Sequence, residues 1–242
     1  MTLAFDSFKP HTFVDAFRFM ADNPHLMWTK TLEHLQVSGE AMGLALLIAI
    51  PLGVWLGHVH RGGFLAINVA NVGRALPSLA VIAIGLGILG IGQTNVAFAL
   101  VVLAFPLMLT NAYVAVDGVD PDAIEAARGM GMKPWQILLK IELPLALPLI
   151  FAGIKTAAVY VVATAPLGGV VGGGGLGDII VGQANYGLRG VIAGAIAVAA
   201  LAFAASFGFG LVQWAVTPRG LRRRARVVEP DVSTGIVEPL TA

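Results

Sequence analysis

The stretch EAARGMGMKPWQILLKIELP, Glu125 to Pro144, decides how this chain is read. It carries charges of both signs, two glycines and two prolines. Its flanks are apolar. Ala75 to Val116 holds no Asp, Glu, Lys or Arg, and Leu143 to Gly177 holds only Lys155. A polar, helix-forming island between such runs belongs in water or against a soluble surface, while its flanks belong in lipid.

Composition supports that division. Of 242 residues, 57% are hydrophobic and 12% are charged, and the mean hydropathy is +0.83. Soluble domains average about a quarter charged residues. The apolar excess is too large for one soluble core, so the chain reads as an integral membrane protein. The net charge of +1 does not by itself bear on nucleic acid, and no nucleic-acid partner is expected. Cysteine is absent, which removes disulfides and thiolate metal or redox sites. The five histidines do not pair at metal-ligand spacing, so no metal site is expected. His58 and His60, beside Arg61, read as a loop at the membrane surface.

The charge-free runs locate the spans. Ala41 to His60 supplies one crossing, which needs roughly 20 residues. Ala75 to Val116 is too long for one helix, and GIGQTN (Gly90 to Asn95) turns it, giving spans near 76–91 and 95–116. Leu143 to Gly177 holds a fourth span and Gly190 to Pro218 a fifth. Pro51, Pro77, Pro106, Pro148 and Pro166 within these runs suggest a kinked, packed bundle of α-helices. At the N-terminus, Phe13, Phe17, Met20 and Trp28 are spaced for one helical face, interrupted by Asp15, Arg18, Asp22 and His25. This segment is not apolar enough to span and lacks a signal-peptide pattern, so it reads as an interfacial amphipathic helix.

Lys and Arg fix the orientation. With the C-terminus in the cytoplasm, ten of them fall inside: Arg61, Arg74, Arg128, Lys133, Lys140 and five arginines from Arg219 to Arg226. Four fall outside: Lys9, Arg18, Lys30 and Arg189. The chain is therefore read as N-out and C-in, which puts Glu125 to Pro144 in the cytoplasm. The final VVEPDVSTGIVEPLTA has no hydrophobic periodicity and reads as disordered.

The island reads as two short helices. Asp120 is a good N-cap, and Pro121 suits the first helical position. PDAIEAAR makes two turns, Gly129 and Gly131 stop them, and Pro134 starts a second helix, PWQILLKIE. Leu143 and Pro144 lead back into the membrane. Ala126 and Ala127 are small enough to admit another protein surface, and Glu125 offers a charge. From the residues alone, a docking element and an ordinary interhelical loop on the lipid surface read equally well.

The island also resembles the loop that marks permease subunits of binding-protein-dependent ATP-driven importers. The shared pattern is E-A-A, three residues, Gly, nine residues, I-x-L-P. Glu125, Ala126, Ala127, Gly131, Ile141, Leu143 and Pro144 fill it. The resemblance implies a type I importer permease fold. It implies a coupling loop over 117–144 that docks on cytoplasmic ATP-binding subunits, an extracytoplasmic solute-binding protein, and a second permease subunit, identical or similar. It implies a multi-pass protein of the inner, or cytoplasmic, membrane in contact with lipid. RALPSLAVIAIGLGILGIG (Arg74 to Gly92), the run from Gly118 to Ala157 and GGGGLGDIIVGQ resemble the osmoprotectant branch, which imports glycine betaine, carnitine and choline. The likeness covers about residues 30–215. Methionine permeases carry a similar glycine run, and related permeases serve other solutes, ergothioneine among them. TAPLGGVV (Thr164 to Val171) is richer in Pro and Gly than that pattern. On this reading 1–35 is an extracytoplasmic or interfacial segment, 36–218 the permease domain and 219–242 a basic cytoplasmic tail.

Gly172 to Gly177 satisfies G-x-G-x-x-G on paper. No strand precedes it and no acid follows at the distance a dinucleotide needs, so no cofactor is expected. No G-x-x-x-x-G-K-[ST] occurs either, so ATP hydrolysis falls to a partner and the chain is not itself an enzyme. Arg74, Pro77, Gly174, Gly175, Gly177 and Asp178 are instead candidates for gating or close packing. Lys155 is the one intramembrane charge; it is either functional or snorkels to the headgroups, the second being the simpler reading. A secondary carrier would show intramembrane acids or inverted repeats, and an intramembrane enzyme would need His, Asp, Glu or Cys in its spans. Apart from His58 and His60, read as lying at the membrane surface, the spans as read carry none of these residues.

Overall fold

The structure is a computed structural model that describes residues 11–218. Lys9 and the tail arginines, which entered the orientation count, lie outside those residues. The described chain is helical: α1 Thr12–Asp22, α2 Pro24–His58, α3 Gly63–Ala75, α4 Ser78–Leu89, α5 Gln93–Asp117, α6 Pro121–Gly129, α7 Pro134–Ile137, α8 Leu143–Thr164, α9 Leu176–Val181 and α10 Gln183–Val216. A π-turn, Leu138–Glu142, joins α7 to α8, and a 3-10 turn, Ala165–Val171, follows α8.

Four stretches are long and apolar enough to cross a bilayer: Pro24–His58, Gln93–Asp117, Pro134–Val171 and Gln183–Val216. The span expected near 76–91 is only the 12-residue α4, about 18 Å long at 1.5 Å per residue. That falls short of the roughly 30 Å hydrocarbon layer. The segment before it, expected as a surface loop over 58–74, is mostly the helix α3. The expectation rested on Arg61 and Arg74; what makes the helix is the i, i+4 pair Ala66 and Ala70, both buried. α3 and α4 are separated by Leu76, held extended at φ −71°, ψ 118°. The cause is Pro77, which disfavours helical geometry in the residue before it.

α5 is the centre of the bundle and packs against α2, α3, α4 and α8. Small residues set these approaches, because between helices in lipid close packing replaces the hydrophobic drive. A Cβ on Gly53 of α2 would lie 2.6 Å from the Leu109 carbonyl oxygen, and one on Gly57 would lie 2.8 Å from the Val116 Cβ. Around these glycines Ala45, Ala49, Leu100, Met108, Ala112 and Val161 form the main core.

α1 forms as expected but buries a different side. Thr12, Ala16 and Phe19 face inward, while Phe13 and Phe17 are exposed. Asn23, non-helical at φ −126°, ψ 52°, breaks the register before Pro24, so Trp28 belongs to α2 and not to the face of α1. Ala16 and Phe19 pack in a second cluster with Leu176, Ile179, Ala193 and Val198 of α9 and α10. The Phe19 ring meets Tyr186 edge-on at 6.3 Å, and the Arg189 guanidinium lies 5.9 Å from the same ring.

Candidate functional site

The polar island folds locally as its residues dictate. The Asp120 side chain accepts a hydrogen bond from the Asp122 N–H at 3.0 Å, and Pro121 follows at the first position of α6. Gly131 takes φ +80°, and its N–H reaches the Arg128 carbonyl at 2.9 Å. Positive φ is where glycine is at home and other residues are strained. Lys133 is extended before Pro134, and the Gln136 side chain accepts from the Lys133 N–H at 2.8 Å.

The second short helix does not stop before the membrane. α7, the π-turn and α8 run on as one rod. Pro144 has no N–H to give, which removes the bond an α-helix would make there. The π-turn absorbs this: the Leu143 N–H reaches back five residues to the Leu138 carbonyl.

The two faces of the island differ. Its inner face is a small core of Val119, Ile124, Ala127 and Ile137, with Met132 and Ile141 packed against it. Glu125, Ala126 and Arg128 are exposed. So are Met130 and Trp135, at 73% and 56%. Ala126 and Ala127 therefore part company: Ala126 points outward, while Ala127 is small because it fits beneath α7. Leu143 and Pro144 are half-buried at the head of α8. A cavity of about 710 Å³ lies between α6 and the feet of α2 and α5, bordered by His60, Asp117, Glu125 and Arg128.

Two histidine–carboxylate pairs lie at the foot of the bundle, the first tying the island to α2 and the second tying the end of α2 to the end of α5. His58 ends α2, and its Nδ1 meets Glu142 Oε2 at 2.7 Å. The Glu142 side chain is 2% exposed. His60 Nδ1 meets Asp117 Oδ1 at 2.9 Å, and the Tyr113 hydroxyl donates to the other oxygen of Asp117 at 3.2 Å. His58 and His60, expected in a loop at the membrane surface, are thus both paired with carboxylates, and Glu142 was not among the expected site residues. The available signal was an acid, Glu142, between the apolar Ile141 and Leu143 just before Pro144.

A second cluster forms around the glycine run. Gly174 and Gly175 take φ +78° and +69°. The Gly175 N–H donates to Glu33 Oε2 at 2.8 Å. Lys30 Nζ donates to the same oxygen and to Asp178 Oδ2, both at 2.8 Å. One turn on, the buried His34 donates from Nε2 to the Val162 carbonyl at 3.1 Å. Gly175 also lies against the α2 backbone: a Cβ there would be 3.1 Å from the His34 Cα. Gly177 faces the Pro166 carbonyl with no room for a side chain. Lys30, Glu33 and His34 are absent from the residues singled out by sequence. Pro77 caps α4, and Arg74 is the penultimate residue of α3.

Lys155 lies on the α10 side of α8. Its Nζ would be in ordinary contact, at 3.5 Å, with a Cβ on Gly210. Among the described residues no carboxylate pairs with it. Lys155→Met keeps the stem and removes only the charge. It is expected to leave uptake and coupled ATP hydrolysis within about twofold of wild type, as for other substitutions away from special features. Loss of either activity, measured in membrane vesicles, would show that the charge functions.

Residues 49–219 match the family described as binding-protein-dependent transport system inner membrane component. The carnitine transport permease protein of Listeria monocytogenes is 37% identical over 205 residues, covering 84% of this chain and 94% of the relative. The choline transport system permease protein of Bacillus subtilis is 36% identical over 207 residues, covering 85% and 95%. The osmoprotectant import permease protein of Salmonella typhimurium is 32% identical, covering 86% and 100%. Among solved structures, an inward-facing MetNI methionine ABC transporter matches with a TM-score of 0.70 at 26% identity, covering 81% of this chain and 99% of that one.

Proposed function

The chain belongs to the binding-protein-dependent transport system inner membrane components, and we propose that it is the permease subunit of an ATP-driven importer for a small osmoprotectant such as glycine betaine, choline or carnitine. The observation that carries this reading is the island itself. Its inner face is packed to hold a shape, and its outer face offers Glu125, Ala126, Arg128, Met130 and Trp135 to a partner. Exposed Met and Trp among charges suit a protein interface better than open water.

On this reading the crossings number five: α2, the α3–α4 pair broken at Pro77, α5, α8 and α10. The N-terminus is outside, and α6 and α7 are cytoplasmic. The segment 1–35 lies at the outer surface, 36–218 forms the pathway and 219–242 lies in the cytoplasm. Two permease subunits enclose the pathway. A binding protein delivers the solute to the outer face and sets most of the selectivity. Two cytoplasmic ATPases close on ATP and push on the docking loop. The subunits then rock open outward, the solute enters, and hydrolysis resets them. Gly174, Gly175, Gly177 and Asp178 form the packed outer gate, and Arg74 and Pro77 sit at the break where α3 and α4 can flex.

Methionine is the second reading, favoured by the likeness to the methionine transporter. The permeases named for carnitine and choline are more similar in sequence and cover as much of the chain, so quaternary amines are preferred. The docking assignment is tested by Glu125→Lys, which reverses an exposed charge on α6 and touches no core. Co-purification of the ATPase with the permease is expected to fall on the order of tenfold, at unchanged membrane insertion. Normal uptake by this variant would contradict the assignment.

A further inference from the structure

α2 is the only described element that contacts both clusters by side-chain bonds. Near its start, Lys30 and Glu33 hold Asp178 and the Gly175 N–H. At its end, His58 holds Glu142. The 25 steps along the helix from Glu33 to His58 cover about 37 Å. Between these ends α2 is packed along α5 at Gly53 and Gly57 with no slack.

The two ends differ in kind. The Glu33 carboxylate is partly exposed and shares its load between Lys30 and Gly175. Glu142 is buried, and His58 is its one hydrogen-bond partner among the described residues. A buried carboxylate has no water to fall back on, so the contact is strongly favoured in one geometry. Glu142 also sits in the π-turn between α7 and α8, where a helix is already irregular and able to shift. The turn is the covalent route by which a displacement of the docking loop reaches α8, and His58 is the side-chain bond that ties the turn to α2.

We propose that α2 is a connecting rod between the docking loop and the glycine run, and that His58–Glu142 is the pin that drives it. His58 is then a positioning residue for transport, acting through Glu142. The pin stays closed while the loop moves, so α2 and α8 move together and the push arrives at Gly175 and Asp178. This rests on the docking role proposed above.

The test uses the complete transporter, with its ATPase and binding protein, in proteoliposomes. The quantity read is solute taken up per ATP hydrolysed. His58→Leu is expected to lower that ratio on the order of tenfold, within the range of measured coupling energies, while the ATPase still co-purifies. His58→Asn places an amide nitrogen near the Nδ1 position and is expected to stay within about twofold of wild type. An unchanged ratio in His58→Leu overturns the pin, as does an assembled His58→Asn that is as poor as His58→Leu.

If His58→Leu does not assemble, the pair His58→Cys and Glu142→Cys decides. The chain has no native cysteine, so a short reducible bis-methanethiosulfonate bridge reacts at these two sites alone within it. The ratio is expected to be low before bridging, to recover on bridging and to fall again on reduction. A ratio indifferent to the bridge overturns the proposal. If the ATPase fails to co-purify with the wild-type chain, it is the docking role that fails.

Discussion

Gly131→Pro is expected to abolish uptake while leaving the chain inserted in the membrane. Two features of the native turn conflict with proline. Gly131 sits at φ +80°, and proline locks φ near −65°. The Gly131 N–H also closes α6 onto the Arg128 carbonyl, and proline has no N–H. The combined cost is about 3 kcal/mol or more, large enough to unmake the turn between α6 and α7. The long apolar helices α2, α5, α8 and α10 lie outside this turn and keep their sequence. Gly131→Ala separates the two causes. It keeps the N–H and suffers only the left-handed strain, about 1 kcal/mol, so it should retain most of the uptake. Gly129 is the control, since its site has no neighbour within 4 Å and no positive φ. Gly129→Ala should behave as wild type. Uptake and membrane content measured together for the three variants check this, and normal uptake by Gly131→Pro would refute it.

Gly177→Val should prevent the end of the molecule that holds the glycine run from packing. Gly177 lies directly against the Pro166 carbonyl, and Gly169 in turn lies against the Gly177 backbone. The facing atoms are main chain on both sides, so no side chain can swing away to make room. Overpacking a tight site typically costs 1–3 kcal/mol. With rigid neighbours the upper end applies, about 3 kcal/mol. Leu176 and Ile179, both fully buried beside it, would be displaced with the backbone. The expected result is a sharp loss of monodisperse protein on purification and a lowered thermal midpoint. A Gly177→Val protein with wild-type stability would show that this contact is not maintained.

The helix–turn–helix of the polar island was legible because its determinants are local. An acid before a proline, a glycine at a stop and a proline at a restart each act within a few residues, and Asp120, Gly131 and Pro134 behave accordingly. The membrane class was legible from composition alone. What could not be read was long-range register. Nothing in the chain announces that His58 meets Glu142, 84 positions away, or that Glu33 meets Gly175, 142 positions away. Both depend on how α2 is rotated against α5 and α8, and that rotation is set by Gly53 and Gly57 together. The same blindness hid which of Ala126 and Ala127 faces inward. α3 was missed for a different reason. Charge marked its ends as surface, while a two-alanine stripe was enough to bury one side of a helix. The run from Pro134 to Val171 was divided on paper at Leu143, because Lys140 and Glu142 lie just before the apolar stretch, and no sequence rule foresees the π-turn that carries the helix past Pro144.

The central claim is that this chain forms the pathway of an osmoprotectant importer. The most direct measurement is uptake of labelled glycine betaine in cells with and without this subunit, with excess choline, carnitine and methionine as separate competitors. The predicted result is that betaine uptake is lost without the subunit and is competed by the quaternary amines but not by methionine. Betaine uptake that is unchanged when the subunit is removed would contradict it.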